Sequence, residues 1–176
     1  MPADLEQLLA PGYLDGLEQR TLPELRAMRV ACQEVETGLS LLRRVVQGHL
    51  DIVGLEVERR ASGSDPGDRE ELLARLPELL ADRTAGSGPG RLASLMAPES
   101  IDPALEAELV ALVGPGVVDA AGLDGDALQA LAAGLAALET AVSDRRRAMF
   151  GRIDALQEEI TRRYRSGDAS VDALLS

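Results

Sequence analysis

The sequence predicts an all-α protein built on a long antiparallel two-helix coiled-coil hairpin, with short connecting and terminal helices around it. Two long stretches carry apolar residues that alternate three and four positions apart, which is the spacing of a coiled-coil seam. The same polar pattern occurs in the middle of both stretches at the same heptad register. Alanine, leucine and charged residues dominate and tryptophan is absent, a composition typical of helices packed through aliphatic seams.

The first long helix is predicted for residues 21–60. It begins at Thr21, which forms a capping-box pattern with Glu24 around an early proline, and a run rich in Ser and Gly after residue 61 ends it. Residues 3–19 before it are predicted to be short helical pieces broken at Pro11. The seam of this helix consists of Leu25, Met28, Cys32, Val35, Leu39, Leu42, Val46, His49 and Val53.

The second long helix is predicted for residues 126–165, and it duplicates the first. The two copies of the polar motif are separated by the same offset as Leu25 and Leu128. The same offset separates the two copies of a later Glu-Arg-Arg pattern, in which Glu56 corresponds to Glu159. An internal repeat of one long helix is therefore the basis of the predicted fold. The second seam consists of Leu128, Leu131, Leu135, Leu138, Val142, Arg145, Met149, Arg152 and Leu156.

The remaining segments are predicted to be shorter helices, turns and a linker within one helical domain of residues 1–176. The connecting segment, residues 61–125, is expected to supply short helices that dock on the hairpin or on a partner. The tail, residues 166–176, is predicted to form one or two amphipathic turns. Along the connecting segment we expect a helix at 70–82 that bends near Pro77, a flexible linker at 84–90, a helix at 103–113 and a turn at 114–116.

Composition and charge exclude several functional classes. The net charge of −12 argues against direct binding to DNA and favours a basic protein partner, although the same charge also serves solubility. Cys32 and His49 are the single cysteine and histidine, so we expect no disulfide, no metal cluster and no catalytic residues. The amino terminus lacks a signal-peptide pattern and no apolar run could span a bilayer. We therefore expect a cytoplasmic protein without membrane attachment.

The duplicated polar motif defines the candidate site. Steps of four, three, four and four residues keep its positions on one stripe of each helix, about 22 Å long. The positions are e, b, e, b and f of the heptad, and antiparallel pairing brings the two e flanks together, so the stripes form one surface suited to a two-fold symmetric ligand. They are Glu36, Ser40, Arg43, Gln47 and Asp51 in the first helix and Glu139, Ser143, Arg146, Phe150 and Asp154 in the second.

Two interpretations of this motif compete. Charged residues at e positions commonly form interhelical ion pairs, which would make the protein a ligand-independent coiled-coil adaptor. Ion pairing does not, however, require Ser and Asp at fixed positions or a glycine at the same place twice. Gly48 and Gly151 each cost about 1 kcal/mol of helix stability relative to alanine. Close approach of a bulky ligand would explain why this cost is tolerated, and so would simple duplication of a glycine that has no function.

The chemistry of the motif suits a guanine nucleotide. A carboxylate can accept two hydrogen bonds from the Watson–Crick edge of guanine. Arginine can pair with the O6/N7 edge, stack on the base or bind phosphate. A cationic belt around the middle of the hairpin suits a small, multiply charged anion. The belt comprises Arg43, Arg44, Arg145, Arg146, Arg147 and Arg152.

At these residues the sequence resembles the RsiG family of actinobacterial anti-sigma factors. Members of that family carry the pattern E-x3-S-x2-R-x3-Q-x3-D on each of two long helices, and the first motif here matches it in full. The second motif matches at Glu139, Ser143, Arg146 and Asp154 and has Phe150 in place of Gln. The resemblance covers both long helices but not the connection or the termini.

The resemblance implies a function and a set of partners. Proteins of this family hold the sporulation sigma factor WhiG in a complex that requires cyclic di-GMP, which binds to the helical hairpin as a pair of molecules. We therefore expect a monomeric, non-enzymatic anti-sigma factor that binds a WhiG-like sigma factor and two molecules of cyclic di-GMP. The motif residues would form the ligand-binding site, with Phe150 packing on a base where the family has an amide.

Overall fold

The computed structural model describes residues 4–63 and 101–166 of the chain. All regular structure in these residues is helical, which confirms the predicted all-α class. The helix predicted at 70–82, the linker at 84–90 and the tail beyond residue 166 lie outside the described residues. In chain order the elements are helix α1 (Leu5–Leu9), a 3-10 turn (Leu17–Gln19), helix α2 (Leu22–Ser62), helix α3 (Pro103–Val113) and helix α4 (Gly125–Ser166).

The two long helices, α2 and α4, pair in antiparallel orientation. Arg26 near the start of α2 hydrogen-bonds to Tyr164 near the end of α4. Arg43 in the middle of α2 reaches Glu139 in the first half of α4. The residue numbers of the partners in α4 therefore fall as those in α2 rise, and this confirms the predicted hairpin.

The apolar seams of the two helices form the core. Burial of each large apolar side chain stabilises the fold by about 1.5–3 kcal/mol relative to exposure. Cys32 and His49 lie in the same seam as buried residues, and burial lowers the pKa of His49 because it disfavours the charged imidazolium. The largest fully buried side chains are Leu25, Leu39, Leu42, Val46, Val53, Leu135, Leu138, Val142, Met149 and Leu156.

Local sequence signals fix the ends of the long helices. The predicted capping box of α2 is present, because Thr21 N donates to Glu24 Oε2 at 2.6 Å and Glu24 N donates to Thr21 Oγ1 at 3.4 Å. In α4, Ala127 N donates to Asp124 Oδ1 at 2.8 Å. Helix α2 ends at Ser62 and is capped by Gly63, whose φ of 67° is the left-handed conformation that glycine adopts without strain.

The duplicated Glu-Arg-Arg pattern forms a clamp that holds the chain just before α4. Glu56 accepts hydrogen bonds from Arg59 and Arg60, at 2.7 Å and 2.6 Å to its Oε1. Arg60 Nη2 then donates to the backbone oxygens of Leu123 at 2.7 Å and Ala120 at 3.3 Å. The end of α2 is thereby tied to the segment that leads into α4.

The second copy of this pattern forms the equivalent clamp at the other end of the hairpin. Glu159 accepts from Arg163 Nε at 2.8 Å, and Arg163 donates to the backbone oxygens of Leu17, at 2.6 Å, and of Arg20. Leu17 and Arg20 lie just before α2, at positions equivalent to those of Ala120 and Leu123 just before α4. The internal repeat therefore includes the segments that lead into the long helices as well as the helices themselves.

The short helices dock beside the seam and away from the motif. Leu112 of α3 packs so closely on Gly134, a g position of α4, that a Cβ added there would lie 2.7 Å from Leu112 Cδ2. Arg152, a d position on the same side of the seam, donates through Nη2 to the backbone oxygen of Leu9 in α1 at 2.7 Å. Because the motif arginines are at e positions, α1 and α3 leave the motif stripe accessible.

Candidate ligand-binding site

The polar residues of the two motifs meet at the centre of the hairpin on one side. Arg43 Nε of α2 donates to Glu139 Oε1 at 2.8 Å and to Ser143 Oγ at 2.9 Å, both in α4. Ser143 Oγ in turn donates to Glu139 Oε1 at 3.0 Å, one helical turn away. A carboxylate and a hydroxyl from one helix thus bind the arginine of the other.

The same arrangement occurs a second time with the helices exchanged. Arg146 Nε of α4 donates to Glu36 Oε1 at 2.9 Å and to Ser40 Oγ at 2.7 Å, and Ser40 Oγ donates to Glu36 Oε1 at 2.7 Å. We call the two arrangements together the crossed network. It consists of Glu36, Ser40, Arg43, Glu139, Ser143 and Arg146 and has approximate two-fold symmetry across the hairpin axis.

The crossed network leaves donors for a ligand. A guanidinium group carries five N–H donors, and the hydrogen bonds of Arg43 and Arg146 to the described residues use only Nε. The two arginine side chains are 35% and 33% exposed, respectively. Their Nη groups are therefore accessible to an anion or to a base edge above the stripe.

The glutamates of this network are charge partners of the arginines. Burial acts to raise the pKa of Glu139, but hydrogen bonds from Ser143 and Arg43 outweigh it, and the pKa lies below its usual value. Glu139 is therefore ionised at neutral pH. The same arrangement therefore contains the interhelical ion pairs that the adaptor interpretation requires. It also contains the accessible arginines that the ligand interpretation requires.

The fourth motif position differs between the two helices. Gln47 Nε2 donates to Glu139 Oε1 at 3.3 Å, so it is part of one half of the network. Phe150, its counterpart, lies under the guanidinium of Arg146, with 4.8 Å between Arg146 Cζ and the ring centroid. Within the described residues, Phe150 contacts Arg146. Packing of Phe150 on a base of the ligand stays a prediction.

The two motif aspartates lie outside the crossed network. Asp51 is half-buried and Asp154 is exposed. Asp154 lines a shallow surface groove near the end of α4 together with Gln157, Thr161, Arg162 and Arg165. The structure therefore groups the Glu, Ser and Arg positions tightly and places the aspartates further along each stripe.

The duplicated glycines have no packing role within the described residues. A Cβ added at Gly48 or at Gly151 would have no neighbouring atom within 4 Å outside the local helix. The helical glycine Gly134 differs, because Leu112 occupies the space of its missing side chain. Open space therefore remains above Gly48 and Gly151, at the same place in each stripe.

Of the six arginines predicted to form a cationic belt, at least one, Arg152, has a different role. Arg44 is exposed on the outside of α2, and Arg147 is exposed and pairs with Asp144 at 3.2 Å. Arg152 does not belong to the belt, because it holds the backbone of α1 on the other side of the seam. Sequence alone did not reveal this role, since the carbonyl groups that Arg152 binds carry no sequence signal.

The fold and the polar surface together define a class of protein, a helical hairpin with a duplicated, approximately two-fold symmetric polar face. The RsiG-like family model matches residues 11–80 and 115–176, which include both long helices. The chain therefore belongs to the RsiG-like family. Membership indicates an anti-sigma role with a sigma factor as partner, and the family is in general one of non-catalytic regulators.

No curated protein matches the sequence. None of the helices in the described part of the chain combines the length and the apolar character that crossing a bilayer requires.

Proposed function

We propose that this protein is a cytoplasmic anti-sigma factor that sequesters a WhiG-like sporulation sigma factor in a complex dependent on cyclic di-GMP. The observation that carries the proposal is the pair of motif stripes, which lie on one side of the hairpin and are related by an approximate dyad. A ligand that is itself two-fold symmetric can make the same contacts with both stripes. Two molecules of cyclic di-GMP would lie across the hairpin centre.

The accessible groups match the chemistry of this ligand. The Nη groups of Arg43 and Arg146 would bind phosphate oxygens or the O6/N7 edge of guanine through charge-assisted hydrogen bonds. Asp51 and Asp154 would accept the paired N–H donors on the Watson–Crick edge of guanine, which adenine lacks. Open space above Gly48 and Gly151 would allow the ligand to approach the helix backbone.

The ligand would act as an adhesive between the hairpin and the sigma factor. One helical face can contact only one side of a bound dinucleotide, so bases and phosphates remain exposed for contacts with a second protein. Binding of ligand and of sigma factor would strengthen each other, because the coupling free energy between two ligands is reciprocal. The net charge of −12 would speed association with a basic partner surface.

A ligand-independent coiled-coil adaptor is the second candidate, and the crossed network favours it. Ion pairs already balance the charges of Glu36, Glu139, Arg43 and Arg146 within the chain, without any ligand. Such an adaptor would bind the sigma factor with the same affinity at every concentration of cyclic di-GMP. The two candidate functions therefore differ in whether the affinity for the sigma factor depends on the concentration of cyclic di-GMP.

The test is calorimetric titration of the sigma factor with wild-type protein and with Asp51→Asn/Asp154→Asn, with and without cyclic di-GMP. Because these aspartates lie outside the crossed network, the variant should keep that network intact, and thermal unfolding of both proteins checks that the hairpin is still folded. Loss of charge-assisted contacts should weaken ligand-dependent binding by about tenfold to a hundredfold. Asp144→Asn, an exposed aspartate of α4 outside the motif, is the matched control.

Cyclic di-AMP serves as the ligand control and should not support the complex. Equal support by cyclic di-AMP would contradict the assignment of guanine. If cyclic di-GMP leaves the affinity for the sigma factor unchanged, and the double aspartate variant binds as tightly as wild type, the adaptor interpretation holds instead.

A further inference from the structure

The two halves of the candidate site are not equivalent. We define the Arg43 half as Arg43 with Gln47, and the Arg146 half as Arg146 with Phe150. The helix positions and the network around Nε are the same in both halves. The difference is the fourth motif residue, which is an amide in one half and the single phenylalanine of the chain in the other.

In the Arg43 half, the fourth residue extends the hydrogen-bonding network. Gln47 Nε2 donates to Glu139 Oε1, the same oxygen that accepts from Arg43 Nε. The guanidinium group of Arg43 is therefore held at one edge by Glu139 and Ser143. No aromatic ring faces it within the described residues, so this edge is the main constraint on its plane.

In the Arg146 half, the guanidinium has a hydrogen-bonded edge and, in addition, an aromatic ring on one side. Glu36 and Ser40 accept from Nε, while the ring of Phe150 lies 4.8 Å from Cζ. A hydrogen-bonded edge together with a ring on one side restricts the guanidinium more than the edge alone does. The ring lies on one side of the guanidinium, and the side chain remains 33% exposed.

We propose that Phe150 is a positioning residue that holds Arg146 as a flat stacking surface for a purine base. In this half a base would lie on the open face of the guanidinium, so that phenyl ring, guanidinium and base form one stack. The Arg43 half would bind the equivalent part of the ligand through hydrogen bonds and charge alone. The ligand in this inference rests on the proposed function, whereas the ordering of Arg146 by Phe150 does not.

The ordering is tested without ligand by NMR relaxation of the arginine Nε–H groups. In the wild-type protein, Arg146 should be more rigid than Arg43, and its side-chain protons should show the upfield ring-current shift expected above a phenyl ring. Phe150→Leu keeps an apolar side chain but removes the ring, so both signatures should disappear. Gln47→Leu is the matched control and should leave Arg146 unchanged.

Equal mobility of the two arginines in wild type, or an Arg146 signal that Phe150→Leu does not alter, would overturn the positioning role. Neither result depends on cyclic di-GMP. This part of the experiment therefore decides on Phe150 even if the proposed function is wrong.

The stacking role is tested by calorimetric titration of cyclic di-GMP into Arg146→Lys and Arg43→Lys. Lysine keeps the charge but has no planar group. We expect Arg146→Lys to lose about two- to fivefold more affinity than Arg43→Lys, as loss of a cation–π and stacking contact predicts. Equal losses would overturn the stacking role, and absence of binding to wild type would overturn both this role and the proposed function.

Discussion

At the scale of single residues, two groups of charged side chains have different tasks. Those of the crossed network lie beside the seam and keep donors accessible. Those of the clamps hold backbone segments: hydrogen bonds from Arg59 and Arg60 lower the pKa of Glu56 to about 2, and those from Arg162 and Arg163 do the same for Glu159. These two carboxylates therefore contribute to the stability of the clamps only while they are ionised.

This pKa shift predicts how stability depends on pH. Because the folded-state pKa of Glu56 lies below the unfolded value of 4.5, its contribution is complete above that value and is lost as the pH falls toward 2. Glu56→Gln should lower the free energy of unfolding at neutral pH by about 1–3 kcal/mol and flatten the acid limb of the stability profile. Thermal unfolding across this pH range measures both effects.

Glu58→Gln is the control for this prediction, because Glu58 is an exposed glutamate on the same helix. Its stability profile should follow that of the wild type. If Glu56→Gln and wild type lose stability in parallel between neutral and acidic pH, the clamp does not depend on the charge of Glu56.

At the scale of helices, glycines in α2 and α4 serve different purposes that their sequence context does not distinguish. Gly134 lies under Leu112 and allows α3 to approach α4. Gly48 and Gly151 face open space beside the motif stripe, where they weaken the helix without improving its packing. Their cost is understandable if a ligand occupies that space.

Alanine substitutions should separate these purposes. Gly48→Ala/Gly151→Ala should raise the free energy of unfolding by about 0.5–1 kcal/mol per site, because alanine favours the helix and meets no neighbour. The same variant should bind cyclic di-GMP more weakly. Gly134→Ala should gain less stability or lose some, since Leu112 must move. Thermal unfolding and calorimetry would contradict this account if Gly134→Ala were the most stabilised variant.

At the scale of the whole molecule, one chain supplies both halves of a two-fold site. The approximate dyad relates α2 to α4, the two clamps to each other and the two halves of the crossed network to each other. In many symmetric sites the two halves come from two identical subunits. Here the internal repeat replaces the second subunit, and the two halves are free to differ, as Gln47 and Phe150 do.

This arrangement predicts a monomer in solution. Analytical ultracentrifugation over a wide range of protein concentrations should give the mass of one chain, 18.6 kDa, in the absence of ligand. A concentration-independent dimer would show that each assembly contains four motif stripes. The single-chain account of the site would then be wrong.

The sequence by itself determined the main architecture because its signals are periodic and local. Heptad spacing from Leu25 to Val53 and from Leu128 to Leu156 identified both long helices and their register, since a helix must bury its apolar stripe. The capping box at Thr21 and the sequence pattern that predicts the helix at 103–113 are equally local signals. The position of the motif near the middle of each helix, with its residues on the e flank, also indicated that antiparallel pairing would bring the stripes to one side.

The tertiary structure decided what depends on contacts between segments distant in the sequence. The partner of Arg43, the exclusion of Arg152 from the cationic belt and the contact of Gly134 with Leu112 all arise across the hairpin or between hairpin and docked helix. The type of a residue indicates which groups it can bind, but it does not indicate which group lies next to it in the fold. Only the packing of the chain brings a particular carboxylate, carbonyl oxygen or phenyl ring within reach of a particular arginine.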